Sequence, residues 1–276
     1  MGRIIAVTNQ KGGVGKTTTC VNLAASLAEA GRAVLLVDMD PQGNATQGCG
    51  VTRDQLERTV YDVLLGEARA ESVLQQVEPA GFHLLPANGD LTAAEVQLME
   101  LDGPERRLRG ALRSLADRFE YVVIDCPPAL NMLTVNALVA ADAVLIPMQC
   151  EYYALEGLTA LMGTIEKIRG SVNPELTIEG LVRTMYDPRN RLSTDVSRQL
   201  IGHFGERVYR TVVPRNVRLA EAPSHGLPAL LYDRYSRGAV AYMALASEMI
   251  KRHGGASAGV AEEEYADDAE TAAEED

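Results

Sequence analysis

The sequence predicts an α/β protein with a doubly wound, mostly parallel sheet flanked by helices. Short apolar runs rich in branched residues recur along the chain, which is typical of strands buried on both faces of a sheet. Amphipathic helical patterns separate most of these runs. Strands and helices that alternate in this way predict parallel strands joined by right-handed crossovers. We therefore expect one α/β domain over residues 1–253.

Seven runs are candidate strands. In chain order they are "IIAVT" at 4–8, "AVLLVD" at 33–38, "FHLLP" at 82–86, "YVVID" at 121–125, "AVLIPM" at 143–148, "LTIEGLVRT" at 176–184 and "RVYRTVV" at 207–213. The first is followed by "TTTCVNLAASLAEAG", which has apolar residues at helical spacing and ends at Gly31, a residue suited to stop a helix. No internal repeat or linker interrupts the pattern.

Composition limits the classes of protein to which this chain can belong. With 276 residues and 46% hydrophobic side chains, the chain can bury a substantial core. No stretch approaches the roughly 18 uncharged apolar residues that a membrane span requires. The chain enters its first strand without a signal-like region. Its four cysteines lack paired metal spacing and are expected to be reduced thiols: Cys20, Cys49, Cys126 and Cys150. We therefore expect a cytoplasmic protein without a membrane partner.

Charge is distributed unevenly along the chain, whose net charge is −12. Residues 254–276 contain nine acidic residues and no Lys or Arg, which predicts a disordered acidic tail. Residues 183–252 contain twelve Lys or Arg and six Asp or Glu. In residues 1–182, acidic residues outnumber basic ones by twenty-three to fourteen. The chain therefore has a basic region in its C-terminal third.

The stretch "NQKGGVGKTTT" looks like a phosphate-binding loop in which one residue differs from the usual pattern. That pattern has glycine where this chain has Gln10, and a second lysine, Lys11, follows at once. The stretch lies between a predicted strand and a predicted helix, an arrangement that directs backbone N–H groups at a phosphate. The expected nucleotide-binding residues are Lys11, Gly12, Gly13, Val14, Gly15, Lys16, Thr17 and Thr18.

These residues have different expected tasks. The glycines let the backbone approach a phosphate closely. Lys16 is expected to reach the β- and γ-phosphates, and the Thr17 hydroxyl to bind Mg²⁺. Thr18 is expected to cap the helix beside the α-phosphate. The motif thus predicts a nucleotide site with Mg²⁺, as in P-loop NTPases, and the family resemblance described next implies that the nucleotide is ATP.

The loop "KGGVGKTT" resembles the deviant Walker A loop of the ParA/MinD superfamily of ATPases. The resemblance implies that Lys11 crosses a dimer interface and contacts the phosphates bound by the partner subunit. Two ATP molecules would then hold two protomers together, with Lys11, Lys16 and Asp40 as the catalytic residues. The alternative is that Lys11 is a solvated surface lysine.

Three aspartates follow predicted strands, at the edge of an open α/β sheet where ligands bind. Asp38 and Asp40 end "AVLLVDMD", and extended backbone would point both side chains towards the phosphates. Asp125 ends "YVVID", the Walker B position. The resemblance implies that Asp38 and Asp125 hold Mg²⁺ through water and that Asp40 orients the attacking water. All three could instead be caps or turn residues. Hydrolysis is expected to be slow, because no arginine finger or strong base is evident.

Further segments resemble the chromosomal ParA proteins, also called Soj, over about residues 2–252. They are "DMDPQGNAT", "IDCPPALNMLTVNAL", "QCEYYALEGL" and "VPRNVRLAEAPSHG". The resemblance implies that Glu151 lies at the dimer interface near the opposite ribose, although it could equally cap the next helix. It also implies that Pro214 to Asn216 lie by the adenine, with Pro214 and Asn216 as contacts.

The basic C-terminal third contains candidate contacts to the phosphates of double-stranded DNA, which bind without reading sequence. The candidates are Arg189, Arg191, Arg215, Arg218, Arg234, Arg237, Lys251 and Arg252. Arg189 and Arg218 match DNA-binding positions of Soj-like proteins; any single arginine could instead be an ordinary surface residue. The chain begins at its first strand without a helix-turn-helix extension, so we do not expect specific operator binding.

The resemblance implies an ATP-dependent switch in chromosome or plasmid partitioning. An ATP-bound homodimer would bind DNA nonspecifically on the nucleoid, and a ParB-like centromere-binding protein would release it by stimulating hydrolysis. Alternatively, the chain is a positioning or regulatory ATPase that acts on a protein cargo or a replication initiator. A MinD-like membrane role is disfavoured because the last helix leads into acidic residues that anionic lipid repels. An iron–sulfur cluster is disfavoured because no second cysteine has a suitable context.

Overall fold

The protein folds around one eight-stranded sheet. The computed structural model describes residues 2–53, 56–115 and 117–258, and within these ranges the sheet order is β3-β4-β2-β5-β1-β6-β7-β8. The strands are β1 Arg3–Val7, β2 Val34–Asp38, β3 Gln75–Val77, β4 Phe82–Leu85, β5 Tyr121–Asp125, β6 Ala143–Gln149, β7 Thr177–Tyr186 and β8 Val208–Pro214. All neighbours pair in parallel except β3 and β4, which are antiparallel. The predicted fold class is confirmed.

Helices cover both faces of the sheet. They are α1 Lys16–Glu29, α2 Asn44–Gly48, α3 Val60–Leu65, α4 Ala70–Val73, α5 Leu91–Leu98, α6 Arg107–Arg113, α7 Met132–Ala140, α8 Ala154–Arg169, α9 Arg191–Phe204, α10 Val217–Glu221, α11 Ala229–Tyr232 and α12 Arg237–Ala258. Helices α1 and α12 pack on one face, and buried residues of α3 to α9 pack on the other. This is the doubly wound arrangement that alternating strands and helices predict.

The two cores follow from the period of the strands. In β1, Ile4 and Ala6 face the core under α3 to α9, whereas Ile5 and Val7 face the core under α1 and α12. Successive side chains of a strand point to opposite faces, so a strand covered on both sides must be apolar throughout. This explains why the central strands appear in the sequence as continuous apolar runs.

All seven predicted strands are present, but β3 was not predicted. It has three residues, "QQV", of which only Val77 is buried. A short edge strand of this kind has no apolar run that would reveal it. Its antiparallel pairing with β4 ends the sheet on that side.

Helix α1 begins directly after the glycine-rich loop. Its N-cap is Gly15, with φ of 87° and no side-chain cap, and Thr18 is the third helical residue. The expectation that Thr18 caps the helix is therefore wrong, because the chain turns into the helix at a left-handed glycine. The helix ends at Glu29, and Gly31 follows with φ of 78°, which agrees with the predicted stop.

Strand β8 is the outer strand on the other side of the sheet, and side chains cover its free edge. The Glu248 carboxylate of α12 accepts hydrogen bonds from the backbone N–H groups of Arg210 and Thr211, both at 2.9 Å. It also accepts one from the Thr211 hydroxyl at 2.7 Å. Edge N–H groups left free would be available to another strand, so Glu248 blocks that pairing.

Helix α12 runs from the carboxyl edge of the sheet to its amino edge. At the amino edge, His253 contacts Tyr121 at the start of β5, and Arg252 donates to the carbonyl of Val208 at the start of β8. The helix continues to Ala258, five residues into the segment that the sequence predicts to be an acidic tail. The remaining residues of that segment, 259–276, lie outside the described residues.

Candidate functional site

Three strand ends meet at the carboxyl edge of the sheet and form a cleft. Strands β2, β5 and β1 are neighbours, and Asp38, Asp125 and Val7 are paired in register. The loop from Asn9 to Gly15 follows β1. Together with the ends of β7 and β8 it encloses a cleft of about 540 Å³. The cleft is lined by Gly12, Gly13, Gly15, Lys16, Thr17, Thr18, Asp40, Gln42, Asn44, Pro128, Thr184, Met185, Val213, Pro214, Arg215, Asn216, Leu219, Ala220 and Tyr242.

The glycines of the loop leave space for a ligand. A Cβ added to Gly12 or Gly13 would have no protein atom within 4 Å, so the volume beside this backbone is open. Gly13 has φ of 73° and Gly15 has φ of 87°, conformations that other residues rarely adopt. The loop is fixed from behind, because the Thr184 hydroxyl donates to the Val14 carbonyl at 2.7 Å. The cradle is therefore open towards the cleft and hydrogen-bonded to β7 behind it.

The two lysines of the loop point in different directions. Lys16 lines the cleft and donates to the carbonyl of Lys11 at 3.2 Å. Burial lowers the pKa of Lys16, and the carboxylates of Asp125 and Asp40 act against that change. Lys11 does not line the cleft; its ammonium group is paired with the Glu151 carboxylate, and both side chains are about two-fifths exposed. Lys11 thus lies on the rim, at the surface.

Asp125 supplies an unused carboxylate oxygen. The residue is fully buried, and its Oδ1 accepts from the Cys20 thiol at 3.4 Å. Its Oδ2 has no hydrogen-bond partner among the described residues. Burial and the nearby charge of Asp38 raise the pKa of Asp125 to about 8. A buried, unpartnered carboxylate oxygen beside Lys16 and Thr17 fits the shell of a divalent cation, which would stabilise the charged form.

Asp38 and Asp40 differ in their surroundings. Asp40 lines the cleft, and its Oδ1 accepts from the backbone N–H of Gln42 at 2.9 Å. Asp38 is fully buried and does not line the cleft. It accepts from the N–H and hydroxyl of Thr46, at 2.8 and 2.7 Å, and from the N–H of Asp40 at 3.1 Å. Burial nevertheless raises the pKa of Asp38 to about 6. Asp38 therefore braces the backbone that presents Asp40.

The far part of the cleft contains the residues expected near a base. Pro214 ends β8, and Asn216 caps α10 by accepting from the N–H of Arg218 at 3.0 Å. Met185, which the sequence reasoning missed, lines the cleft with φ of 48°, a conformation that is rare outside glycine. Thr184 was also missed, although it ends the predicted strand 176–184 and could have been assigned to the same edge of the sheet.

The predicted DNA-binding residues do not form one patch. Arg189, Arg215 and Arg218 follow the carboxyl ends of β7 and β8, and Arg215 lines the nucleotide cleft itself. Arg237 begins α12, which starts at this edge of the sheet. Hydrogen bonds from Arg189, to which the charge of Arg237 adds, lower the pKa of Asp187 to about 2. Lys251 and Arg252 instead lie near the start of β8, at the opposite edge.

Several of these arginines already have carboxylate partners. The pairs are Arg189 with Asp187, Arg191 with Asp195, Arg218 with Glu221 and Asp233, Arg234 with Glu29, and Arg252 with Glu248. Pairs of this kind at the surface are weak, since water screens them.

The described residues contain no cluster of three or more His, Cys, Asp or Glu that could hold a metal ion by itself. All four cysteines are buried and free. Within the described ranges, no helix combines the length and apolar character needed to span a bilayer.

Comparison with known proteins identifies the family. A family model described as an AAA domain matches residues 2–178. The chromosome partitioning protein ParA of Caulobacter vibrioides is 53% identical over 252 residues, which cover 91% of this chain and 94% of that protein. The chain belongs to the ParA/Soj family of chromosome-partitioning ATPases. The resemblance of the chain to the ParA/Soj proteins is confirmed.

A relative named Soj and one solved structure complete the comparison. The sporulation initiation inhibitor protein Soj of Bacillus subtilis is 50% identical over 249 residues, covering 90% of this chain and 98% of that protein. Among solved structures, a cobyrinic acid a,c-diamide synthase from Mycobacterium smegmatis with bound ADP and magnesium superposes with a TM-score of 0.81. It is 38% identical, and the match covers 92% of this chain and 96% of that one.

Proposed function

We propose that this ParA/Soj ATPase is a nucleotide-dependent switch in which two protomers pair around two ATP molecules. The paired form binds double-stranded DNA without sequence preference. Slow hydrolysis, stimulated by a ParB-like partner, returns the protein to a DNA-free monomer. The cofactors are ATP and Mg²⁺. The cytoplasm and the nucleoid are its proposed location.

The main observation in support of this proposal is the position of Lys11. Its ammonium group projects from the rim of the loop to Glu151, about two-fifths exposed, while Lys16 alone of the two lysines faces the cleft. A cation held outside its own cleft can reach phosphates across a facing protomer. Pairing would then depend on the charge of the bound nucleotide, because only a polyphosphate supplies enough negative charge to draw Lys11 from Glu151 across the interface.

Within one protomer, different residues of the cleft would bind the phosphates, hold Mg²⁺ and orient the attacking water. Backbone N–H groups at the start of α1, together with Lys16, would bind the β- and γ-phosphates. The Thr17 hydroxyl and the free oxygen of Asp125 would hold Mg²⁺ or its water shell. The cation would neutralise charge that develops on the phosphate oxygens. Asp40, fixed through Gln42 and braced by Asp38, would orient the attacking water.

Slow turnover is consistent with the groups lining the cleft. Among the described residues that line it, Lys16 and Arg215 are the basic ones, and Arg215 lies with Pro214 and Asn216, the residues expected near the base. No arginine is evident beside the expected γ-phosphate. A carboxylate such as Asp40 orients water without supplying a strong base, which is sufficient for a loose phosphoryl-transfer transition state. A stimulating partner would compensate for the missing arginine and the missing strong base.

We propose that DNA binds at the carboxyl edge of the sheet. Arg189, Arg218 and Arg237 lie there, beside the cleft, so pairing around nucleotide would bring two sets of them together. A DNA surface formed from two protomers makes affinity depend on the nucleotide state. Arg191 and Arg234 are further candidates for this surface.

Nonspecific binding to a DNA duplex tests the proposal. The wild type in ATP and Mg²⁺ should bind, and a tenfold drop or more is expected between about 50 and 200 mM salt if several phosphates are contacted. Lys16→Ala should not bind, because its nucleotide site is lost. Asp40→Ala should bind and stay bound. If Lys16→Ala binds DNA as tightly as the wild type does in ATP, the nucleotide switch is wrong.

A further inference from the structure

A groove runs along the free edge of β8, between the end of α9 and the end of α12. It has a volume of about 950 Å³ and lies at the amino edge of the sheet, opposite the nucleotide cleft. Its lining includes five basic side chains, which are Arg183, Arg207, Arg210, Lys251 and Arg252. Nothing in the ATPase mechanism uses this groove.

Three of these cations lack carboxylate partners. Arg207, Arg210 and Lys251 are exposed, and none forms an ion pair with another residue of the described chain. This distinguishes them from most of the arginines at the carboxyl edge, which are paired. The groove therefore carries exposed positive charge that its own walls do not balance.

The carboxylates of the groove are mostly occupied elsewhere. Glu248 accepts from the edge of β8 and pairs with Arg252 at 2.8 Å. Glu179 is bound by Arg3, by His253 and by the Tyr209 hydroxyl. The third carboxylate, Glu206, is exposed and forms no ion pair within the described residues.

A buried arginine adds to the positive potential. Arg183 is 8% exposed and donates to the Ser197 hydroxyl and to the carbonyls of Tyr209 and Arg210, at 2.8 to 3.0 Å. Its Nε has no partner among the described residues, and no carboxylate there neutralises its charge. A buried charge without a counter-charge is costly and favours an anion nearby.

We propose that this groove binds the acidic C-terminal segment of the same chain, residues 259–276. That segment contains all nine acidic residues of the predicted tail and no Lys or Arg. Helix α12 ends at Ala258, seven residues beyond Lys251, which is about 10 Å of helix. Eighteen further residues can span up to about 60 Å, so the segment is long enough to reach back along the groove.

Of the two surfaces next to the end of α12, the groove has more exposed cations that lack a carboxylate partner. On the other side of His253, Arg3 and Arg32 are paired with Glu179 and Glu120, and Arg118 lies 5.6 Å from the ring of Phe119. Within the described residues, that side offers Arg118 as an exposed cation without a carboxylate partner, whereas the groove offers three, Arg207, Arg210 and Lys251. Because the segment is tethered, its effective concentration there is on the order of millimolar, and weak pairing suffices.

Binding of the segment would have a consequence for DNA. The groove is a positively charged surface away from the nucleotide cleft, and DNA bound there would not respond to nucleotide. A segment that covers it confines DNA to the carboxyl edge, beside the ATP site. The acidic segment thus acts as an internal competitor of DNA at the groove.

Carbodiimide coupling tests this assignment, because it joins a lysine amine to a carboxylate as an amide. The chain has four lysines: Lys11, Lys16, Lys167 and Lys251. In the full-length monomer without nucleotide, mass spectrometry should detect coupling of the 259–276 segment to Lys251 at least fivefold more often than to Lys167, which is also exposed. The coupling should fall severalfold between 50 and 500 mM NaCl.

A pair of variants separates binding in the groove from mere proximity along the chain. Arg207→Gln with Arg210→Gln keeps Lys251 and should lower its coupling to the segment at least threefold. The matched control, Arg58→Gln with Arg113→Gln, removes two exposed arginines that line no part of the groove and should leave the coupling unchanged.

Two results would overturn the inference. One is equal coupling to Lys251 in the groove variant and in the wild type. The other is coupling to Lys251 in the wild type that is no greater than coupling to Lys167. Since the coupling experiment uses no nucleotide, its outcome is independent of the proposed ATP switch.

Discussion

The C-terminal helix is held to the sheet by a buried charge whose contribution to stability can be calculated. The Glu179 side chain is 3% exposed. Its Oε1 accepts from the Tyr209 hydroxyl at 2.7 Å and from His253 at 3.0 Å, and its Oε2 accepts from Arg3 at 2.9 to 3.0 Å. Burial by itself would raise the pKa of Glu179, but the hydrogen bonds from His253 and Tyr209 and the charge of Arg3 lower it to about 2.

The direction of the pH dependence follows from this lowered pKa. A carboxyl group that ionises more easily in the folded state stabilises it above the unfolded pKa, which is 4.5. The stabilisation disappears as the pH falls from about 4.5 towards about 2. Its full size is on the order of 3 kcal/mol, and about 2 kcal/mol should remain at pH 3.5.

The Glu179→Gln variant tests this contribution to the free energy of unfolding. Urea unfolding between pH 5.5 and 3.5 should give a variant less stable by about 3 kcal/mol at the upper pH, and this difference should shrink by about 1 kcal/mol at the lower. Ordinary histidines, with a pKa near 6.5, titrate little in this range. The control Glu166→Gln removes an exposed pair with Arg169 and should cost less than about 1 kcal/mol at either pH. A Glu179→Gln penalty that stays constant with pH would refute the reasoning.

Two further predictions concern single hydrogen-bonding side chains. Cys20→Ala removes the thiol that donates to Asp125, so the Mg²⁺ concentration for half-maximal ATPase activity should rise about 3- to 10-fold, whereas Cys20→Ser should restore it. Equal behaviour of the two variants would contradict this role. Glu248→Ala frees the N–H groups of Arg210 and Thr211; it should lower the free energy of unfolding by about 1 to 3 kcal/mol and promote self-association in light scattering. The exposed Glu206→Ala is its control, and a similar loss there would argue against edge protection.

Much of the fold follows from the sequence because burial on both faces makes a strand visible as an apolar run. Strands β1 and β5 show this directly, and their parallel register brings Val7 beside Asp125. The short strand β3 could not be found, because two of its three residues are polar and not buried. Its existence depends on pairing with β4 rather than on its own composition.

The cleft was predictable to the extent that its residues follow strands. Asp40, Lys16 and Thr17 line it as expected, since strand ends of a parallel sheet share one edge. The helix cap was not predictable, because Gly15 ends the loop in a left-handed conformation and displaces Thr18 from that position. Likewise, the hydrogen bond from the N–H of Thr46 to Asp38, eight residues away in the chain, follows from no rule of sequence spacing.

The basic third shows where sequence reasoning fails. Counting charges placed Arg218 and Lys251 in one region, but α12 crosses the face of the sheet and separates them by the length of the strands. The ion pairs of Arg189 and Arg218 were also invisible, because their partners are set by local turns. The net charge of a sequence segment therefore does not predict the charge of any one surface of the folded protein.

The most direct test of the account measures the mass of the particle that ATP produces. Multi-angle light scattering on Asp40→Ala with saturating ATP and Mg²⁺ should give twice the chain mass of 29.8 kDa, and the same variant with ADP should give the single chain. Adding Lys11→Ala should return the ATP sample to the single chain, because the rim cation is then absent. If the Asp40→Ala protein remains monomeric in ATP, or if Lys11→Ala leaves the dimer intact, the proposed role of Lys11 is wrong.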